Sequence, residues 1–213
     1  MKLLLFNLSS LIYIYIKDVI VVDDHSEDET AKLAFESGAI VIKHPMNLGQ
    51  GAALQTGFNF ALKEGADIVI TFDADGQHRI EDALKMVEVI AADQADIVCG
   101  SRFLGAKSFN MPLSKKIWLR LATIFVRITT GVKVTDAHNG LRALSKKALK
   151  LISIKQNRMS HASEIISNIR KHRLRYKEIP VTILYTEYAI AKGQKLKNSF
   201  NIVKELFIWS LNK

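Results

Sequence analysis

Four short apolar runs, each ending in a polar corner, constrain the fold of this chain most: "DVIVVDD" at 18–24, "AIVIKHP" at 39–45, "ADIVITFDADG" at 66–76 and "ADIVCGSRF" at 95–103. Between them "DETAKLAFESG", "GAALQTGFNFALKEG" and "IEDALKMVEVIAA" carry apolar residues at helical spacing, the first closed by Gly38, while Pro45 ends the second run. Runs without polar alternation are strands buried on both faces. Joined by helical crossovers, they predict an α/β fold with a mainly parallel sheet and helices on both sides. Ligands of such sheets bind beyond the carboxyl ends of the strands, where Asp23, Asp24, Asp73, Asp75 and Arg102 fall.

A chain of 213 residues with 48% hydrophobic content builds one domain around a sizeable core. Its one cysteine, Cys99, rules out an intramolecular disulfide, fits a reducing compartment and reads as a small core residue. Charge is divided unevenly. Residues 1–100 hold 16 of the 21 acids and 7 of the 30 lysines and arginines, so an acidic half suited to a cation precedes a basic half suited to anions. With no zinc-ligand cluster, basic-region heptad or aromatic–basic ribonucleoprotein motif, nucleic acid is not the expected partner. Anionic lipid or a phosphorylated substrate is. No run reaches the ~18 apolar residues of a membrane span. The opening "MKLLLFNLSSLIYIYIKDVIVV" is split by "NLSS" and lacks a small-residue cleavage site, so it reads as a strand or a membrane-lying segment rather than a signal peptide.

Asp73 and Asp75, followed by Gly76 and Gln77, make an oxygen-rich corner at a strand end. Mg²⁺ or Mn²⁺ prefers such a corner, shared with substrate phosphates; a solvated turn with helix-capping aspartates is the plainer reading. In "NLGQGAALQTG", Asn47 to Gly57, Gly49 and Gly51 precede a helix start. They would bring backbone N–H groups to a phosphate or nucleoside, or merely form a tight loop. The spacing is not that of a dinucleotide fingerprint.

"VIVVDDHSEDET", "NLGQGAALQTG", "DADGQH", "GSRF", "DAHNGLRALSKKAL" and "RYKEIPVTILYTEYAIAKGQK" follow one another in an order and spacing that resembles the family 2 glycosyltransferases of GT-A (Rossmann-like) fold. The branch with dolichyl-phosphate mannose synthase and bacterial polyprenyl-phosphate glycosyltransferases is the most similar, and the resemblance runs from Asp18 to Gln194. It implies that Asp23 or Asp24 contacts the nucleoside of a GDP- or UDP-sugar donor. Asp73, Asp75 and Gln77 would hold Mg²⁺ or Mn²⁺ on its diphosphate. Asn47, Gly49, Gly51, Lys192, Gln194 and Lys195 would contribute to substrate binding. A cation there stabilises the charge that grows on the leaving diphosphate.

The acceptor decides what else is needed. A saccharide hydroxyl requires a general base, whereas an acceptor phosphate is already anionic and requires positive charge. Arg102 and Arg142 suit the second task. Asp136 reads as a base, as a partner orienting Arg142, or as a helix cap. His138 and Asn139 contact an acceptor phosphate or lie in a neutral loop. His161 and Glu164, three apart on a helix, face one another or form an ordinary satisfied face. The expected activity is inverting, metal-dependent transfer of a sugar to dolichyl or undecaprenyl phosphate, by a protein peripherally bound at the cytoplasmic face of a membrane. The rivals are a saccharide-accepting family 2 enzyme of cell-wall or surface polysaccharide synthesis, and a non-catalytic relative that binds a membrane or partner protein.

One departure stands out. The family's first strand, ending in a Pro-Ala-Tyr-Asn-Glu-like segment, and its following helix should precede "DVIVVDD", yet only Met1 to Lys17 do so. "MKLLLF" or "LIYIYI" can take the strand's place without room for the helix. The expected organisation is an N-terminally abbreviated GT-A domain over 1–195 and a C-terminal amphipathic helix over 196–213. That helix and "KIWLRLATIFVRITTG" cover the core or lie on a membrane, with Trp118 and Trp209 at headgroup depth.

Overall fold

Each apolar run becomes a strand and each periodic segment between them a helix in the computed structural model, which describes residues 2–3, 18–73, 76–105, 111, 113–157 and 160–184. The elements are β1 (Lys2–Leu3), β2 (Ile20–Asp23), α1 (Thr30–Glu36), β3 (Ile40–Lys43), α2 (Gln50–Lys63), β4 (Ile68–Thr71) and α3 (Ile80–Ala91). They continue with β5 (Ile97–Ser101), α4 (Leu113–Thr130), β6 (Arg142–Ser145), α5 (Lys146–Leu151), α6 (His161–Lys171) and β7 (Tyr176–Pro180). "LIYIYI" and residues 185–213, with the expected terminal helix, lie outside the described residues.

The strands form two sets, β1-β2-β3 and β4-β6-β5-β7. β2 and β3 are parallel, as are β5 and β7. Lys2 and Leu3 pair antiparallel opposite Val22 and Val21, so β1 adds a short edge beside β2. The sheet departs from the mainly parallel expectation at β6, which runs antiparallel to both β4 and β5. The cause is the connection. After α4 the chain does not cross back to the amino ends of the strands; it enters β6 from the carboxyl ends of β4 and β5.

Strand alternation sends neighbouring side chains to opposite faces. Ile97, Cys99 and Leu144 therefore join one core cluster with Val126, Leu149 and Ile165, whereas Val98 and Ala143 join the other with Met86 and Ile90. Both faces of this sheet are thus covered, which explains why its strands read as continuous apolar runs. Helix α3 buries Ala83, Met86, Val87 and Ile90 at three- and four-residue spacing. Ser145 caps α5 by accepting the Ala148 N–H at 3.2 Å. A cleft of about 640 Å³ between β2 and β4, walled by α2 at Ala53, Gly57 and Phe58, reaches up to Asp73.

The start of α2 is pinned against the segment before α6. Gly51 N–H donates to Asn157 O at 2.8 Å, and a Cβ on Gly51 would stand 1.9 Å from Gln156 O. Only a glycine fits that approach. Gly51→Ala is therefore expected to cost about 1–3 kcal/mol as the backbone shifts, read as a lower thermal midpoint; an unchanged midpoint would mean that residues 155–157 yield freely.

Candidate active site

Acids and an arginine gather at the carboxyl ends of β2, β4 and β5, and the reversed β6 brings the 131–141 loop to the same place. At β2, Asp23 is fully buried and Asp24 nearly so. Asp24 accepts from His44 Nδ1 at 2.8 Å, Leu48 N at 2.8 Å and Gly49 N at 2.7 Å, while His44 Nε2 meets Thr56 Oγ1 at 2.9 Å. Burial would raise the Asp24 pKa, but these hydrogen bonds outweigh it and hold the group below its ordinary value. Asp23 accepts from Ser26 N through Oδ1; its Oδ2 is buried without a hydrogen-bond partner. The Gly49 N–H serves Asp24 at the N-cap of α2, and the Gly51 N–H, inside its first turn, serves Asn157 O. Asn47 is exposed beside them.

At the end of β4, Asp73 is pressed against the bare Cα of Gly140: a Cβ there would lie 2.1 Å from Asp73 Oδ2. Thr71 Oγ1 donates to Gly140 O at 2.6 Å and locks strand to loop. His78 Nε2 stands 3.6 Å from Asp73 Oδ2, and the His78 ring meets Phe72 edge-on. The Gln77 carbonyl accepts from Leu184 N at 3.0 Å. Asp75, Lys192, Gln194 and Lys195 lie outside the described residues, and no group of three or more His, Cys, Asp or Glu converges among the described ones.

Arg102, just past β5, forms a two-toothed pair with Asp136: Nε to Oδ2 at 2.6 Å and Nη2 to Oδ1 at 2.7 Å, with its own N–H adding a third contact at 3.1 Å. Its side chain is 9% exposed and that of Asp136 fully buried. Burial pushes the Asp136 pKa up, but the Arg102 guanidinium and its hydrogen bonds outweigh that and keep it below the ordinary value. Glu178 on β7 secures the loop from beneath, accepting from Thr135 N at 2.8 Å, Thr135 Oγ1 at 3.0 Å and Asp136 N at 3.2 Å. Burial raises its own pKa. Both ring nitrogens of His138 are shielded and unpartnered, and burial lowers its pKa to about 4, so the ring is neutral at physiological pH. Asn139 accepts from Leu141 N at 2.9 Å and keeps a buried Nδ2 without a partner.

Two sequence expectations are corrected. Asp136 orients Arg102, not Arg142. Arg142 is 2% exposed and donates to Ala137 O at 3.2 Å, so its guanidinium lies inside the domain beneath the loop. As the first residue of β6 it shares the inward face of Leu144, and strand parity buries it. His161 and Glu164 do not pair: Glu164 accepts from the Lys155 and Gln156 N–H groups, both at 2.9 Å, and caps that turn. His44, Glu178 and Gly140 are site-building residues that the sequence reading missed. Only Glu178 carried a signal, an acid set within the strand "YKEIP".

Strand-end acids, with an arginine clamp that joins the end of β5 to the loop entering the reversed β6, are set on an α/β frame of GT-A type. The fold agrees with the structure of glucosyl-3-phosphoglycerate synthase from Mycobacterium tuberculosis with Mn²⁺, uridine-diphosphate-glucose and phosphoglyceric acid, at TM-score 0.66 and 17% identity over 92% of this chain and 69% of that one. The chain belongs to glycosyl transferase family 2, whose profile it matches over residues 2–152. It is 37% identical to UDP-N-acetylglucosamine–dolichyl-phosphate N-acetylglucosaminyltransferase of Methanococcus voltae, across 92% of this chain and 86% of that protein. It is 31% identical to undecaprenyl-phosphate mannosyltransferase of Micrococcus luteus, across 82% and 75%.

Asp136→Asn removes the carboxylate that the shielded Arg102 guanidinium grips at two points and is expected to cost about 3–5 kcal/mol of stability by denaturant titration. Replacing both partners together, Arg102→Met with Asp136→Leu, should restore part of that. The Asp136 pKa is lowered on folding, so its contribution is complete above the unfolded carboxylate value of about 3.9 and is lost as pH falls below it. The stability gap between wild type and Asp136→Asn should therefore hold steady from neutral pH to about 5 and narrow in acid. A gap that narrows towards alkaline pH would contradict the pairing.

Proposed function

We propose that this glycosyltransferase moves a sugar from a nucleoside-diphosphate donor to a polyprenyl phosphate, with inversion, at the cytoplasmic face of a membrane. The observation that carries the acceptor class is the Arg102–Asp136 clamp. A base for a sugar hydroxyl needs a carboxylate with an oxygen to spare and a pKa near the working pH. Asp136 has both oxygens on Arg102 and a lowered pKa. An acceptor that arrives already ionised needs no such base, and the oriented guanidinium is the cationic group suited to hold it. The acceptors named for the Methanococcus voltae and Micrococcus luteus relatives, dolichyl and undecaprenyl phosphate, are of this kind.

Asp23 is the better of the two nucleoside contacts. Asp24 is occupied by three donors, whereas the buried Asp23 Oδ2 lacks one and would accept an N–H of the nucleobase. A divalent ion suits the hard oxygen of Asp73, whose side chain keeps 24% exposure at the strand end. Asp73, with Asp75 and Gln77, would hold it, and Mg²⁺ or Mn²⁺ would supply charge to the leaving diphosphate. Gly140 sets where the Asp73 carboxylate stands, Glu178 holds the Asp136 loop, and the neutral His138 and Asn139 line the loop between them.

Purified protein with Mn²⁺ and a panel of GDP- and UDP-sugars should glycosylate a short polyprenyl phosphate but not the matching polyprenol or free saccharides. Arg102→Ala should lower that transfer by roughly a hundredfold, with Arg102→Lys recovering a part. Chelation should abolish it and Mn²⁺ restore it. Transfer to saccharides alone, unaffected by Arg102→Ala, would replace this reading with the saccharide-accepting one.

A further inference from the structure

Besides Gly140, the His78 imidazole borders the Asp73 carboxylate. His78 Nε2 stands 3.6 Å from Asp73 Oδ2, on the turn that leads from β4 into α3. Of the two side chains the imidazole is the more deeply set, 5% exposed against 24% for Asp73. The carboxylate therefore reaches the strand-end surface, and the ring backs it.

The ring is fastened in place. His78 forms a backbone bridge with Ile183, the Gln77 carbonyl accepts from Leu184 N at 3.0 Å, and Asp82 Oδ2 accepts from Thr182 N at 2.9 Å. Residues 182–184, which follow β7, are thus laced along this turn and the start of α3. Phe72 meets the ring edge-on, with centroids 5.5 Å apart. With backbone and ring both held, Nε2 keeps its station beside Asp73.

Packing alone does not account for a histidine here. Its Nδ1 is buried without a hydrogen-bond partner, and burying a polar atom in that way costs stability that an apolar side chain of similar size would not lose. What the imidazole offers is Nε2. With its hydrogen on that nitrogen the ring is a donor aimed at Asp73 Oδ2, and Nδ1 carries only a lone pair. The 3.6 Å separation is longer than a hydrogen bond, and such contacts commonly tighten once a site is loaded. Carboxylates that ligate a cation are themselves held by hydrogen bonds, and those outer partners fix their orientation. We propose that His78 is the positioning residue of the cation corner: its Nε2–H closes on Asp73 Oδ2 when the corner is loaded and holds the carboxylate in one orientation. This rests on the reading of Asp73 as a cation ligand and adds the residue that orients it.

Calorimetric titration with Mn²⁺ at a fixed excess of UDP or GDP tests it, alongside metal-free melting temperatures. His78→Leu should weaken Mn²⁺ binding by about tenfold or more, with the melting temperature held or raised because the buried nitrogen is gone. His78→Gln keeps an amide N–H near the place of Nε2 and should recover most of the affinity. In transfer assays His78→Leu should need about tenfold more Mn²⁺ to reach its half-maximal rate. Wild-type Mn²⁺ affinity in His78→Leu would overturn the proposal. So would a metal-free melting temperature several degrees lower with no recovery in His78→Gln, which would make the ring a packing residue. A nitrogen coupling to bound Mn²⁺ in electron spin-echo spectra that His78→Leu abolishes would also overturn it, by making His78 a ligand. The cation reading fails separately: Mn²⁺ binding absent from the wild type, or indifferent to Asp73→Asn, would remove that reading and the role of His78 together, whereas binding that needs Asp73 but ignores His78 would remove only the latter.

Discussion

The direction of one strand governs the site. Because β6 runs against β4 and β5, the loop that feeds it arrives at the carboxyl ends of both, where Asp73 and Arg102 already stand. Were β6 parallel, Asp136, His138 and Gly140 would lie at the far side of the sheet. The reversal also makes a demanding ion pair tenable. Taking a carboxylate and a guanidinium out of water costs several kcal/mol per ion, roughly, unless geometry and further hydrogen bonds are good. Here the pair is two-toothed, the Arg102 N–H adds a contact, and Glu178 fixes the backbone that carries the acid.

Much of this was legible in the sequence. Apolar runs and helical periodicity are local properties, and they placed β2 to β5 and α1 to α3 along with the strand-end acids. What escaped depends on contacts between distant segments. The segment "NGLRALSKK" looks like a polar loop, yet Arg142 begins a strand, and whether its side chain faces in or out turns on parity with Leu144. Asp136 has two arginines within reach of its motif, and only the direction of β6 decides for Arg102. Gly51 and Gly140 look like flexible loop glycines, but each is small because another group, Gln156 O or the Asp73 carboxylate, occupies the place of its Cβ.

The uneven charge also has a spatial meaning. The acidic half supplies Asp23, Asp24 and Asp73 at the ends of β2 and β4, and the basic half supplies Arg102 and the cations of α4. The two halves meet where the β6 loop crosses to β4 through the Thr71–Gly140 hydrogen bond. Surplus positive charge on the second half is thus met by the acids of the first at that seam.

Cys99 offers a practical consequence. It lies on β5 opposite Arg142, is buried, and burial pushes its thiol up to about 11. Maleimides and similar reagents attack exposed thiolates, so the native sulfur is silent towards them. A cysteine introduced on an exposed position would be the one reactive thiol in the molecule. Fluorophores or spin labels can thus be attached singly, without first replacing a residue from the strand beneath the clamp.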